Sequence, residues 1–289
     1  MTHTVIRRTE MVGASLNLGG QPLDLTEYST TGLMALAVGP RGFGKTNAGL
    51  LMAEQLSEQG WVSVLIDPEG ELESIYGVAV ADADALRQRL TLRDVPIVVV
   101  SAKDALDFIP YGQVILEVAD ELRKPLFVCI DEGQLFSAAR KRADGVGEAC
   151  DIIAQFAERG RKRALDLFVT ALRYTGTLHR TMFSNSNLKL VGAQEDPTAW
   201  SALAPMFRSS GIEFKDLNAL GPGEFVQFSR RGIEKTKMPM AEGLKKVAPK
   251  AKTVKRTLPA TFSQWDRAMR EIPTERLEAL TDPVVSLLG

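Results

Sequence analysis

The segment Gly39-Pro40-Arg41-Gly42-Phe43-Gly44-Lys45-Thr46 fits G-x4-G-K-[ST]. It stands between an apolar run ending at Val38 and a stretch of helical spacing from Thr46 to Gln59. Strand, glycine-rich turn and helix in that order make a P-loop, whose backbone N–H groups turn inward around phosphate oxygens at a helix N-terminus. In such a loop Lys45 reaches the outer phosphates and the Thr46 hydroxyl is a ligand for Mg²⁺. Gly39, Arg41, Gly42, Phe43, Gly44 and Asn47 complete the stretch expected to hold the nucleotide. A glycine turn of purely structural purpose would not need the lysine and threonine that close the motif.

Further apolar runs rich in Val, Ile, Leu and Phe follow at Trp61 to Ile66, Val95 to Val100, Leu126 to Ile130, Asp166 to Ala171 and Leu188 to Val191, after a first at Gly32 to Val38. Continuous apolarity over so few residues is the mark of strands buried on both faces. Helical spacing recurs between them, at Ala83 to Leu92, Gln113 to Arg123, Gly147 to Arg159 and Thr198 to Phe207. The alternation predicts an α/β fold, a mostly parallel central sheet flanked by helices with right-handed crossovers.

A phosphate cradle alone does not separate GTPases, small-molecule kinases and motor ATPases; the second acidic site decides. Leu126-Phe127-Val128-Cys129-Ile130 delivers Asp131 at the end of an apolar strand, placed to support the metal. The adjacent Glu132 is placed to polarise an attacking water. Two segments imitate a GTPase. Asp67-Pro68-Glu69-Gly70 matches D-x-x-G, and Ser101-Ala102-Lys103 resembles a guanine loop, but no N-K-x-D precedes it to read the guanine edge. Two strand-helix units separate the P-loop strand from the Asp131 strand, which favours an ATPase with an inserted central strand and a catalytic glutamate. Nothing resembles the lid or acceptor site of a small-molecule kinase.

The 289 residues are 45% hydrophobic and 25% charged, an ordinary globular mixture that excludes a disordered or collagenous chain. A formal charge of -1 hides segregation. Arg230 to Arg256 carries ten basic residues against two acidic, and Ala138 to Arg163 seven against four, leaving an acidic remainder. Two cysteines cannot make a disulfide framework, and no apolar run reaches the length of a membrane span, so the expected location is cytoplasmic, with no membrane partner. His3 and His179 are isolated and offer no metal or triad site.

Along the chain, residues 1–30 read as a leader containing a small hairpin about Gly19-Gly20, and 31–240 as the ATPase domain, ending in a second hairpin from Gly223 to Met240. Residues 241–256 read as an extended basic linker, either solvated or touching nucleic acid. Residues 257–289 read as a helical tail in which Phe262, Trp265, Met269 and Ile272 share one face.

Four stretches in order resemble the HerA/FtsK-type DNA-translocating ATPases, and within them the HerA branch: GPRGFGKTN; Leu65-Ile66-Asp67-Pro68-Glu69-Gly70-Glu71, like "hhhDPxGE"; Ile130-Asp131-Glu132-Gly133-Gln134, like "IDEAQ/H"; and Glu158-Arg159-Gly160-Arg161-Lys162, like "EGRK". The resemblance covers roughly Gly13 to Met240. It implies a RecA-like P-loop ATPase core of the type with an added catalytic glutamate, using ATP and Mg²⁺. Lys45, Glu132 and Arg161 would be catalytic, and Thr46 and Asp131 would hold the metal. Arg161 would face the ATP of an adjacent subunit, in the hexameric ring that the resemblance implies; a plain basic helix end is the alternative for Arg161. Asp67 and Glu71 would shape the site, and Arg173 would sit at its rim.

The chain departs from the family pattern in two places. Where the family carries "[ST]-Q-R-P" this chain has Ala171-Leu172-Arg173-Tyr174, so Leu172 takes the place of a glutamine that contacts the γ-phosphate region. A β-barrel domain generally precedes the motor in the HerA branch, whereas here the P-loop begins at Gly39. The reading is an ATP-driven motor moving double-stranded DNA without sequence preference, with a nuclease or a capsid and portal as further partners. The basic segment around Arg140-Lys141-Arg142 would track the DNA backbone. The rival is an ATP-binding assembly or adaptor protein with incidental hydrolysis, which Leu172 keeps open.

Overall fold

The computed structural model describes residues 13–138, 144–174 and 178–247, with the side chains of Arg159 and Arg161 outside the description. The expected helical tail, most of the linker and the Arg140-Lys141-Arg142 segment lie outside the described residues.

An eight-stranded sheet runs in the order β10-β9-β8-β3-β7-β6-β4-β5. Its strands are β3 (Met34–Val38), β4 (Val62–Asp67), β5 (Ile97–Ser101), β6 (Leu126–Ile130), β7 (Leu165–Ala171), β8 (Leu188–Val191), β9 (Glu224–Ser229) and β10 (Gly232–Lys237). Strands β3 to β8 pair in parallel, and β9 and β10 add an antiparallel hairpin to one edge. Every residue of β3, β4, β6 and β7 is buried, as the continuous apolarity of β3 and β6 demands; β4 and β7 also bury Ser63, Asp67, Asp166 and Thr170.

Each face of the sheet has its own core. Leu36, Val38, Val64, Ile66, Val128, Ile130, Leu167 and Val169 face Leu86 and Leu90 of α3 (Ala83–Leu92), Phe108 and Ile115 of α4 (Ala105–Leu122) and Ile153 and Phe156 of α5 (Val146–Arg163). Ala35, Ala37, Leu65, Phe127, Cys129 and Phe168 face α1 (Lys45–Glu58). A Cβ at Gly49 of α1 would lie 2.6 Å from Cys129 Sγ and 2.8 Å from Phe168 Cε1, so α1 rests directly on β6 and β7. That contact fixes where the P-loop stands relative to the acids at the end of β6.

The leader forms the expected hairpin, β1 (Ser15–Leu16) with β2 (Leu23–Asp24), and it is tied to the domain. Gln59, just after α1, donates to and accepts from the backbone of Ser15, and Gln55 of α1 does the same with Asn17, as a neighbouring strand would. Arg231 donates to Glu27 and to the Pro22 carbonyl, and Arg230 to Thr31. The first two residues of the basic zone are therefore engaged within the fold.

Two expectations need correction. Helix α4 begins at Ala105, ahead of Gln113, because the Asp104 carboxylate accepts from Asp107 N–H and caps it, and Pro110 is carried inside the helix. The segment read as an extended linker opens with helix α9 (Glu242–Val247), whose first N–H groups donate to Glu54. Between β4 and β5 and after β7 lie the short helices α2 (Glu73–Tyr76) and α6 (Arg180–Asn185), and α7 (Pro197–Phe207) and α8 (Phe214–Asn218) precede β9.

Candidate nucleotide site

In-register pairing of β3, β7 and β6 brings their carboxyl ends together: Val38 lies beside Ala171, and Val169 beside Ile130. Strand β7 thus separates the P-loop strand from the Asp131 strand, the inserted strand that the sequence spacing suggests. The chain leaves β3 at Gly39, turns through Gly42 and Gly44 at φ 72° and 89°, and enters α1 at Lys45. Positive φ at both glycines turns the loop back over the helix N-terminus, where amides are free to meet an anion.

A cavity of about 340 Å³ opens there, lined by Arg41, Gly42, Lys45 and Thr46 of the loop and by Asp131 and Glu132 after β6. The loop after β4 adds Glu69 and Glu71, and Gln134, Thr170, Ala171 and Leu172 complete the wall. The Lys45 ammonium donates to the Gly39 and Pro40 carbonyls at 2.9 and 2.8 Å. Burial lowers its pKa, opposed by the charges of Asp131 and Glu132.

The Thr46 hydroxyl donates to Asp131 Oδ2 at 2.7 Å, and the Thr170 hydroxyl to Asp131 Oδ1 at 2.5 Å. The Glu132 N–H donates to Thr170 Oγ1 at 2.9 Å and to Asp131 Oδ1 at 3.1 Å. Glu132 occupies the left-handed region at φ 45°, a conformation that costs a non-glycine residue about 1–2 kcal/mol and is held here by those two contacts. The exposed Arg41 guanidinium stands 4.0 Å from Oε1 of half-buried Glu132, a loose pair of little worth to stability.

A divalent cation fits this donor set in one way. The Thr46 hydroxyl and Asp131 carboxylate are hard oxygens in mutual contact, but no cluster of three or more His, Cys, Asp or Glu suited to a metal occurs among the described residues. Mg²⁺ would therefore be held jointly with phosphate oxygens and water, its usual manner of binding.

Other candidates stand elsewhere. Asp67 is buried, and its carboxylate accepts from the N–H groups of Glu69, Gly70 and Leu72, so it shapes the loop that carries Glu69 and Glu71 into the cavity. Asn47 turns away, donating to the Pro239 carbonyl and accepting from Ala241 N–H. Phe43 packs against the core, with its carbonyl accepting from Gly223 N–H. Arg173 lines an adjoining cavity of about 250 Å³ with Pro40, Leu172 and Gln194, and lies 3.9 Å from Asp196. Arg161 lies in the last turn of α5, its side chain outside the description. Neighbouring Arg163 is structural, making a two-pronged contact with Asp120 of α4. The guanine-loop look-alike Ser101-Ala102-Lys103 begins at the last residue of edge strand β5, remote from β3 in the sheet.

Sequence reasoning missed Thr170, Glu69 and Gln134. The last two lie inside quoted motifs; Thr170 is found only through the pairing of β7 with β6.

The sheet and its P-loop define the fold of a P-loop NTPase. The structure is similar to the genome packaging NTPase B204 of Sulfolobus turreted icosahedral virus 2, solved with ATP-gammaS, at a TM-score of 0.56 and 14% identity over 72% of this chain and 98% of that one. It is similar to VirB4 of Thermoanaerobacter pseudethanolicus, with a TM-score of 0.57 and 11% identity over 80% and 98%. The pCW3 conjugation coupling protein TcpA aligns at 0.52 and 16% over 80% and 67%. No family model and no curated protein matches the sequence. Among the described residues no helix is long and apolar enough to cross a membrane.

Proposed function

We propose that this protein is an ATP-driven motor of the HerA/FtsK type that moves double-stranded DNA, working as a ring. The observation that carries the reading is the meeting of Lys45, Thr46, Asp131 and Glu132 in one cavity. The loop amides and Lys45 hold the triphosphate, and Thr46 and Asp131 hold Mg²⁺, which supplies charge neutralisation on the phosphates. Glu132 accepts the proton of the attacking water. Arg161, from a neighbouring subunit, offsets charge in the transition state. Structural likeness to a genome packaging NTPase and a conjugation coupling protein supports DNA as the substrate.

The test is ATP hydrolysis with and without duplex DNA. The motor reading expects strong stimulation, abolished in Glu132→Gln and falling steeply with salt as phosphate contacts are screened. Slow hydrolysis indifferent to DNA would favour an ATP-binding assembly or adaptor protein, a reading supported by the apolar Leu172 in the cavity wall. Mixing Arg161→Ala with Glu132→Gln subunits tests the ring: a junction pairing intact Glu132 with intact Arg161 should recover part of the rate.

A further inference from the structure

Gln134 stands two residues beyond Glu132, in the 3-10 turn Gly133–Leu135, on the cavity wall that also carries Thr170, Ala171 and Leu172. Its Oε1 is buried and has no hydrogen-bond partner. Leaving an amide oxygen so is costly, and folded interiors rarely accept it. Here the cost falls beside a cavity lined by Lys45, Asp131 and Glu132.

The turn is held at that wall by its own backbone. A Cβ at Gly133 would lie 2.2 Å from Val169 Cγ1 and 3.1 Å from the Thr170 carbonyl oxygen, so glycine lets the turn press onto the end of β7. The Glu132 carbonyl accepts from Leu135 N–H at 2.9 Å and the Gly133 carbonyl from Ser137 N–H at 2.8 Å, closing the turn behind Gln134. On the same wall the side chain of Leu172 has no group able to form a hydrogen bond.

We propose that Gln134 is a catalytic residue, its carboxamide contacting the terminal phosphate and the attacking water in place of the hydrogen bond that Leu172 cannot make. An amide suits both partners: once the side chain turns so that Oε1 leaves its buried position, Nε2 donates to a phosphate oxygen while Oε1 accepts from water. In the hydrolysis it serves, the water oxygen bonds to the terminal phosphorus as the bond to the bridging oxygen breaks. The water proton passes to Glu132, and ADP keeps the electron pair of the broken bond. Gln134 transfers no proton; it orients.

This inference rests on the ATP-hydrolysing reading, and one set of assays separates the two. If the wild-type protein does not hydrolyse Mg·ATP, that reading fails; if it does and Gln134→Met is equally fast, only the present inference fails. Gln134→Met should lower kcat tenfold or more, hold ADP affinity within twofold and leave Tm equal or higher, because the unpaired oxygen is gone. A loss of ADP affinity matching the loss of kcat would make the residue structural and overturn the proposal. Adding Leu172→Gln to Gln134→Met should recover at least a third of the lost rate, and no recovery would overturn the claim that the two positions serve the same atoms.

Discussion

The Thr170 hydroxyl donates to Asp131 Oδ1 at 2.5 Å while accepting from the Glu132 N–H at 2.9 Å, so one side chain on β7 sets both acids at the end of β6. Thr170→Val keeps the shape and removes the link. We expect a loss of about 1–2 kcal/mol in stability, a kcat reduced at least tenfold and ADP affinity little changed, whereas Thr170→Ser retains most activity. Steady-state kinetics with a binding titration check this.

Asn47 ties α1 to the segment after β10 by two hydrogen bonds of 2.8 Å. Asn47→Ala should cost about 1–2 kcal/mol by urea denaturation and speed amide exchange at Ala241 to Gly243, with nucleotide affinity kept within a few fold. A large loss of affinity at unchanged stability would mean the amide serves the phosphates.

Asp166 is buried at the opposite end of β7 from the cavity, accepting from Leu33 N–H at 2.7 Å and from the Trp61 indole at 2.9 Å. Asp166→Ala leaves both donors unpaired and should cost about 3 kcal/mol. Trp61→Phe should cost less, and neither should change Kd for nucleotide under conditions where the protein is folded.

Burial depresses the pKa of Lys45 below its usual 10.5. Between the depressed value and 10.5 the unfolded chain binds a proton that the folded chain releases, so the contribution of Lys45 to stability rises with pH through that window. Urea midpoints of wild type and Lys45→Met compared from pH 8 to 10 should shift in favour of wild type as pH increases, and wild-type nucleotide affinity should fall over the same range.

The sheet was legible because β3 and β6 read as unbroken apolar runs and β4 and β7 as mostly apolar ones, broken only by Ser63, Asp67, Asp166 and Thr170. The P-loop and the Asp131-Glu132 pair were legible because spacing along one segment encodes them. Thr170 was not: its role comes from strand pairing across 39 residues of chain, a separation that no local pattern records. Asp67 and Asn47 sit in motif positions, yet their partners are backbone groups of nearby loops, which residue type alone does not reveal. The start of α4 was hidden by Pro110, whose usual effect as a breaker is overcome by the Asp104 cap and the burial of Phe108.

The most direct test of the account is a calorimetric titration of Mg·ATPγS into wild type, Lys45→Ala and Asp131→Asn. The account predicts binding to wild type, loss of at least a hundredfold in affinity for Lys45→Ala with the fold intact, and a dependence on Mg²⁺ that Asp131→Asn weakens. Equal affinity in all three proteins would contradict it.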